Sequence, residues 1–292
     1  MEQSTGRTAG RPTAADRRLA LLLAAAMFVL VVDTSFMNLS ISAVVRDLGT
    51  TVSGVQTAIA LEALVSASFI LVGSKVGDLV GRRRAYVVGL LAYGAGAVAM
   101  TLAQSLVAVV IFWSVIGGLG AALLLPAMQS LVHGNFEGTA RKAAYALVGA
   151  AASIAAAVGP LLGGVITTTL SWRVAFGLEA VVIVVVLVGV RLVRDVPYTG
   201  DRAVDVVGTV LSVVGMGGVV LGVLVWQEGG EAVGALVLVG ALGLAGLAWW
   251  LVRRARAGRT TLVDPGLCRS PAVGIGVSLQ RLGPVARRGA RL

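Results

Sequence analysis

Long apolar runs separated by short polar connections repeat along almost the whole chain. Eight runs stand out, approximately Ala20–Val44, Val52–Val76, Ala85–Ala103, Val107–Val132, Ala143–Leu170, Val174–Leu192, Val206–Trp226 and Val233–Val252. Each is close to the about 20 residues that an α-helix needs to cross a bilayer. The pattern predicts an all-α integral membrane protein with eight spans. Arg17 and Arg18 precede the first run, as they would in a signal peptide. That run is too long for a signal-peptide core, and Asp33 and Asn38 interrupt it, so it reads as an uncleaved span. The longest connection, about Arg191 to Asp205, holds Pro197, Gly200 and three aspartates and divides six spans from two. The expected organisation is a cytoplasmic tail (1–19), a six-helix bundle (20–195), a cytoplasmic linker (196–205), two further helices (206–252) and a basic cytoplasmic tail (253–292).

Basic residues fall on every second connection. Arg7, Arg11, Arg17 and Arg18 precede span 1, and Lys75, Arg82, Arg83 and Arg84 lie between spans 2 and 3. Arg141 and Lys142 follow span 4, Arg191, Arg194 and Arg202 follow span 6, and Arg253, Arg254, Arg256 and Arg259 follow span 8. The alternate connections hold only Arg46 and Arg173, with Glu228 and Glu231 between spans 7 and 8. Positive charge marks the cytoplasmic side, so both termini are expected there.

Composition agrees with membrane residence: 57% of the 292 residues are hydrophobic and 13% are charged, which excludes a water-soluble enzyme. A net charge of +10 would raise nucleic acid as a partner, but it is spread over five connections rather than one face. The lipid bilayer is the expected partner, and nucleic acid is not. Single copies of cysteine (Cys268) and histidine (His133) leave no internal disulfide, no cysteine zinc site and no metal cluster to build. His133 reads as an interfacial residue at the end of span 4. Trp113, Trp172, Trp226, Trp249 and Trp250 lie near predicted span ends and read as interface anchors. Phosphate-loop, GxSxG and HExxH patterns are absent, so neither an enzyme nor a cofactor is expected.

The connection between spans 2 and 3 runs Gly73-Ser74-Lys75-Val76-Gly77-Asp78-Leu79-Val80-Gly81-Arg82-Arg83-Arg84. An acid ends one helix, a glycine allows a tight turn, and basic residues open the next. In Asp78, Gly81, Arg83 and Arg84 it resembles the loop signature of the major facilitator superfamily, with Ser74 and Leu79 as departures. In span 5, Gly159-Pro160-Leu161-Leu162-Gly163-Gly164 resembles the superfamily's antiporter motif, with Ala155 where a glycine is usual. Proline kinks a helix and the glycines allow close packing. In family members this motif is associated with export rather than uptake.

Span 1 reads Asp33-Thr34-Ser35-Phe36-Met37-Asn38, which resembles the first-helix signature of the fourteen-helix drug:proton antiporters in Asp33 and Asn38. Ser35 and Ser42 replace its threonine and proline. Gly118, Gly120 and Ala122 in span 4 are similar to the fourth-helix motif, but Ser114 stands where relatives carry an arginine linked to proton coupling. Ser171-Trp172-Arg173 is another recurrent feature of this group, and Leu262-Val263-Asp264-Pro265 resembles the linker before the second half. The resemblance implies the first half of a major facilitator fold, two inverted three-helix repeats, followed by the two additional central helices. It implies proton-driven export of drugs or other hydrophobic or cationic small molecules across a bacterial cytoplasmic membrane. The substrate site of such a fold lies between halves. The abruptly basic stretch Arg281–Arg288 stands where a ninth span would begin and reads as a C-terminal truncation. The missing half, or a second copy, would then complete the site. A non-transporting membrane remnant or partner of a full-length transporter, and a nutrient importer, are the alternative readings.

Asp33 and Glu62 are the acids read as mid-span, where a charge costs roughly 2.5–3.5 kcal/mol on insertion scales. A carboxyl that gains a proton on one side and loses it on the other carries a proton per cycle, or it binds a cationic substrate. Asp33 could instead make a structural hydrogen bond to a helix backbone or, through water, to Asn38. Glu62 could serve polar packing. Phe36, Met37 and Ser40 follow Asp33 at helical spacing and share its face, either as cavity lining or as ordinary packing. Gln56 and Gln129 are further candidates for the cavity. Asp78, Gly81 and Arg82–Arg84 are the candidate gating loop.

Overall fold

The computed structural model describes residues 14–195, 205–227 and 233–256. Among these residues the chain forms eight helices and no strands. They are α1 (Ala14–Leu48), α2 (Val52–Val80), α3 (Arg82–Thr101), α4 (Leu106–Asn135), α5 (Gly138–Thr169), α6 (Trp172–Gly189), α7 (Val206–Gln227) and α8 (Val233–Arg256). Seven are long and apolar enough to cross a membrane, while the apolar stretch of α7 is shorter, Val206–Gly222. The whole of α7 has 22 residues, about 33 Å at the α-helical rise, which matches the hydrocarbon thickness. The eight expected spans thus correspond to eight helices.

Short polar residues fix several helix starts. Thr51 accepts from the Gly54 amide at 3.1 Å, Ser105 from Ala108 at 3.2 Å and Ser171 from Arg173 at 3.3 Å. Helices pack closely where side chains are small. A Cβ on Gly120 would stand 2.8 Å from the Tyr93 nitrogen, and one on Gly240 would stand 2.4 Å from the Val219 nitrogen. The first contact joins α4 to α3 and the second joins α8 to α7, backbone against backbone, as small residues permit in membranes. The α7–α8 hairpin leans on α2 across an apolar groove bordered by Leu64, Phe69, Val213 and Leu236.

Large apolar side chains also cover the outside. Leu21, Leu161, Val181, Val188 and Leu242 are exposed, as a surface facing lipid requires. Inside, Leu23, Tyr86, Leu90, Leu124 and Met128 pack into one cluster, and Met37, Val55, Met100, Trp113 and Phe176 into a second.

Two tryptophans correct the reading of interface anchors. Trp113 lies two turns into α4 and is 3% exposed, and Trp172 is buried at the start of α6. Each spends its indole N–H on an aspartate, Asp33 and Asp47 respectively. His133 is exposed in the last turn of α4. Arg7, Arg11, Pro197, Gly200, Arg202, Glu228, Glu231, Arg259, Cys268 and the stretches 262–267 and 281–288 lie outside the described residues, as do 1–13, 196–204 and 257–292.

Candidate functional site

Asp33 is 3% exposed in the middle of α1. The Tyr93 hydroxyl of α3 donates to its Oδ2 at 2.5 Å, and the Trp113 indole N–H of α4 is shared between Oδ1 and Oδ2 at 2.9 Å each. A π-helical stretch, Val110–Gly117, widens α4 at this level. Such bulges recur at functional sites. Here the adjacent Trp113 and Ser114 are both buried. Ser114 donates to the Ala58 carbonyl of α2 at 2.6 Å. The position where the fourth-helix resemblance leads one to expect an arginine is therefore filled by a small hydroxyl tied to backbone, and it brings no cation to Asp33.

Asn38 is not a partner of Asp33. Its amide donates to the Thr34 carbonyl at 2.7 Å on the exposed side of α1, because a helix turns it away from the buried face. Thr34, Asn38 and Ser42 form an exposed polar stripe at a spacing of four. Phe36, Met37 and Ser40 are buried with Asp33 but meet different neighbours. Phe36 lies against Gly163, Met37 packs in the cluster with Trp113, and Ser40 shares a 3.1 Å hydrogen bond with Thr167 of α5. Gln56 and Gln129 are both exposed, and neither lines the gap at Asp33.

Glu62 is half-buried in α2 and interacts electrostatically with Asp33. The structure also brings in an acid missed by sequence reasoning. Glu179 of α6 is buried beside Tyr93, Gly96, Trp113 and Phe176, facing Asp33. It was signalled as the sole charged residue between Arg173 and Arg191. Among the described residues no Lys or Arg forms an ion pair with Asp33 or Glu179.

The glycine–proline segment of α5 presses on α1 next to this site. A Cβ on Gly159 would stand 2.7 Å from Ser35 Cβ, and one on Gly163 would stand 3.0 Å from the Phe36 ring. Pro160 lies inside the helix and Gly164 faces open space.

At the α2–α3 turn, Arg82 pairs with Asp78 and donates to the Ser74 carbonyl at 3.1 Å. Gly81 takes φ +99°, and its missing Cβ leaves room for Asp195 Oδ2. Asp195, just after α6, accepts from the Arg83 amide at 3.1 Å. Arg84 is exposed. At the opposite rim Arg173 pairs with Asp47. It also binds the Ala103 carbonyl and stacks 4.5 Å from the Trp172 ring centre. The Ser171-Trp172-Arg173 sequence thus ties the ends of α1, α3 and α6 together.

The Major Facilitator Superfamily profile matches residues 21–205. The chain is 33% identical over 278 residues to the "Cephamycin export protein CmcT" of Amycolatopsis lactamdurans, covering 93% of this chain and 56% of that protein. It is 33% identical over 236 residues to the "Puromycin resistance protein pur8" of Streptomyces alboniger, covering 78% of this chain and 46% of that protein. The chain therefore spans about half the length of the curated relatives it matches. A crystal structure of a peptide transporter, POT, in complex with sulfate superposes with a TM-score of 0.59 at 21% identity, over 84% of this chain and 53% of that one. At that identity the likeness speaks for the fold. With buried acids between apolar helices and a superfamily profile over most of the six-helix bundle, the chain is a multi-pass cell-membrane protein belonging to the major facilitator superfamily.

Proposed function

We propose that the chain supplies the first six helices and the following helix pair of a proton-coupled exporter of drugs or other hydrophobic small molecules, of the fourteen-helix antiporter branch. Asp33 is the coupling acid in this reading, and Glu62 tunes it through charge. The observation that carries it is Asp33 itself: a buried acid held by neutral donors, with no ion pair among the described residues, beside the Gly159–Gly164 segment. Export as the direction is supported by the relatives named for cephamycin export and puromycin resistance. The exposed stripe Thr34, Asn38 and Ser42, with Gln56 and Gln129, is the surface offered to substrate and to a second bundle. Phe36, Met37 and Ser40 set the position of α1 behind it. Residues 20–195 act as one rocking bundle, with Asp78, Gly81 and Arg82–Arg84 at its gate.

The test fuses this chain to the second half of the puromycin resistance relative and expresses it in a pump-deficient bacterium. Puromycin tolerance and dye efflux that collapse with an uncoupler are expected, and Asp33→Asn abolishes both while the protein stays in the membrane. Efflux by Asp33→Asn equal to the parent, with the same pH dependence, removes Asp33 from coupling. Inert fusions alongside an active relative favour a non-transporting membrane partner. The same reading puts both termini in the cytoplasm, so a membrane-impermeant maleimide should label Cys268 only after lysis. Labelling in intact spheroplasts would reverse the orientation.

A further inference from the structure

Asp33, Tyr93, Trp113 and Glu179 come from four helices and meet at one point inside the bundle. Glu179 is 6% exposed. Its side chain borders the same gap as Tyr93, whose hydroxyl donates to Asp33 Oδ2 at 2.5 Å. Glu179 Oε2 is buried and has no hydrogen-bond partner. The gap among these groups, bordered by Gly96, Ala97 and Gly117, is too small for a water molecule.

Counting protons shows what is missing. A phenol has one hydrogen to donate and lone pairs with which to accept. Its hydrogen points to Asp33, so toward Glu179 the phenol oxygen can only accept. Two ionised carboxylates would leave Glu179 facing lone pairs with lone pairs, in a place with no room for water and no ion pair to a Lys or Arg among the described residues. One added proton on Glu179 completes the chain: Glu179 O–H donates to Tyr93, and Tyr93 O–H donates to Asp33. The reverse chain is equally complete, with the proton on Asp33 and the phenol donating to Glu179. Passing between the two breaks one O–H bond at the donor carboxyl and one at Tyr93. It forms one at Tyr93 and one at the acceptor carboxyl. Two protons shift, and one charge is exchanged between α1 and α6.

We propose that Asp33, Tyr93 and Glu179 form a single proton-binding site, which holds one added proton shared between the α1 and α6 carboxyls through the Tyr93 hydroxyl. Paired carboxyls that share a proton titrate as a unit, not as two residues. The lack of space excludes an alkali cation with its water. Among the described residues, Glu62 from α2 also acts on the site by charge. From α4 comes Trp113, which donates but does not titrate. The proposal rests on the reading of Asp33 as the coupling acid only for the use of the proton in transport.

The experiment takes residues 1–292 in lipid nanodiscs and follows the carboxylic C=O stretch by pH-difference infrared spectroscopy. Glu179→Gln, Asp33→Asn, the double variant and Glu62→Gln are compared with the parent, and far-UV circular dichroism checks the fold. The double variant should lose the site's signal. In each of the two single variants the remaining carboxyl should titrate at a proton concentration at least about tenfold away from the parent midpoint. Glu62→Gln should move the midpoint less. Equal midpoints in parent and single variants would mean two independent acids and would overturn the proposal. A midpoint that moves when sodium replaces choline would assign the site to a cation instead. A shared titration together with unimpaired efflux by the Asp33→Asn fusion would keep this site and sink the coupling reading, so the two fail separately.

Discussion

Asp47, Asp78 and Asp205 each meet an arginine, whereas Asp33 meets a phenol and an indole, with Glu179 bordering the same gap. The first group lies at helix ends. Arg173 joins Asp47, the Ala103 carbonyl and the Trp172 ring, and Arg82 joins Asp78 and the Ser74 carbonyl. Arg254 reaches Asp205 at 3.4 Å, where the Trp250 indole also donates at 2.9 Å. With a cation fixed beside it, each carboxylate works as a clamp between helix ends. The second group lies mid-bundle among neutral donors. There, on the proposal above, the cost of a charge, roughly 2.5–3.5 kcal/mol on insertion scales, is relieved by a proton rather than by an arginine. The position of the arginines therefore separates the acids at helix ends, which have a cation, from the central acids, which we propose exchange protons. Ser114 is part of that separation, because its small hydroxyl is tied to the Ala58 carbonyl and brings no cation to the centre.

Removing a clamp should cost most where one cation serves several partners. Arg173→Ala deletes the Asp47 pair, the hydrogen bonds to the Ala103 carbonyl and the ring stacking, and should destabilise the bundle by about 3 kcal/mol. Equilibrium unfolding in mixed micelles measures it. A loss below about 1 kcal/mol would mean that this rim is merely a surface pair of the weak kind. Gly81→Ala comes next, at roughly 2 kcal/mol. Its backbone sits at φ +99°, and the new Cβ would stand 2.9 Å from Asp195 Oδ2. Unfolding of Gly81→Ala as late as the parent would show that the α2–α3 turn relaxes freely.

Asp78→Asn should be milder, about 1 kcal/mol, because Arg82 keeps the Ser74 carbonyl. The same micelle unfolding, repeated at high salt, sharpens the point. The gap between parent and variant should narrow as salt screens a partly exposed pair. A gap indifferent to salt would place Asp78 among the centre acids rather than the clamps.

Much of this was legible in the chain. The spans show because helices facing lipid cannot afford polar interruptions, and Asp33 shows because it is such an interruption. Its partners do not show. Tyr93 and Trp113 are ordinary aromatic residues in sequence, and only the packing of α3 and α4 against α1 turns their O–H and N–H groups toward one carboxyl. Trp113 sits near the start of an apolar run, so it reads as an interface residue, yet α4 begins a full two turns earlier. Glu179 lies six residues beyond Arg173, close enough to a predicted end to pass for interfacial. Its depth follows from where the Ser171 cap starts α6 and from the bundle around it. Asn38 misleads in the other direction, since its place five residues after Asp33 puts it on the exposed side of the helix.

The smallest expected effect belongs to one of the most deeply buried acids. Asp33→Asn removes no ion pair, because Asp33 has none among the described residues. The amide oxygen still accepts from Trp113, and the amide N–H₂ can donate to the Tyr93 oxygen. Tyr93 is then free to turn its hydrogen to Glu179, the partner that lacks one at Oε2. Residue 33, Tyr93, Trp113 and Glu179 then each keep a partner, and the site no longer needs a proton to be complete. Unfolding in micelles should therefore differ from the parent by less than about 1 kcal/mol. Arg173→Ala, at a far more exposed pair, should cost several times that. If Asp33→Asn instead destabilises as much as Arg173→Ala, then Asp33 holds the fold as the clamp acids do, and the distinction between acids with and without an arginine fails at its centre.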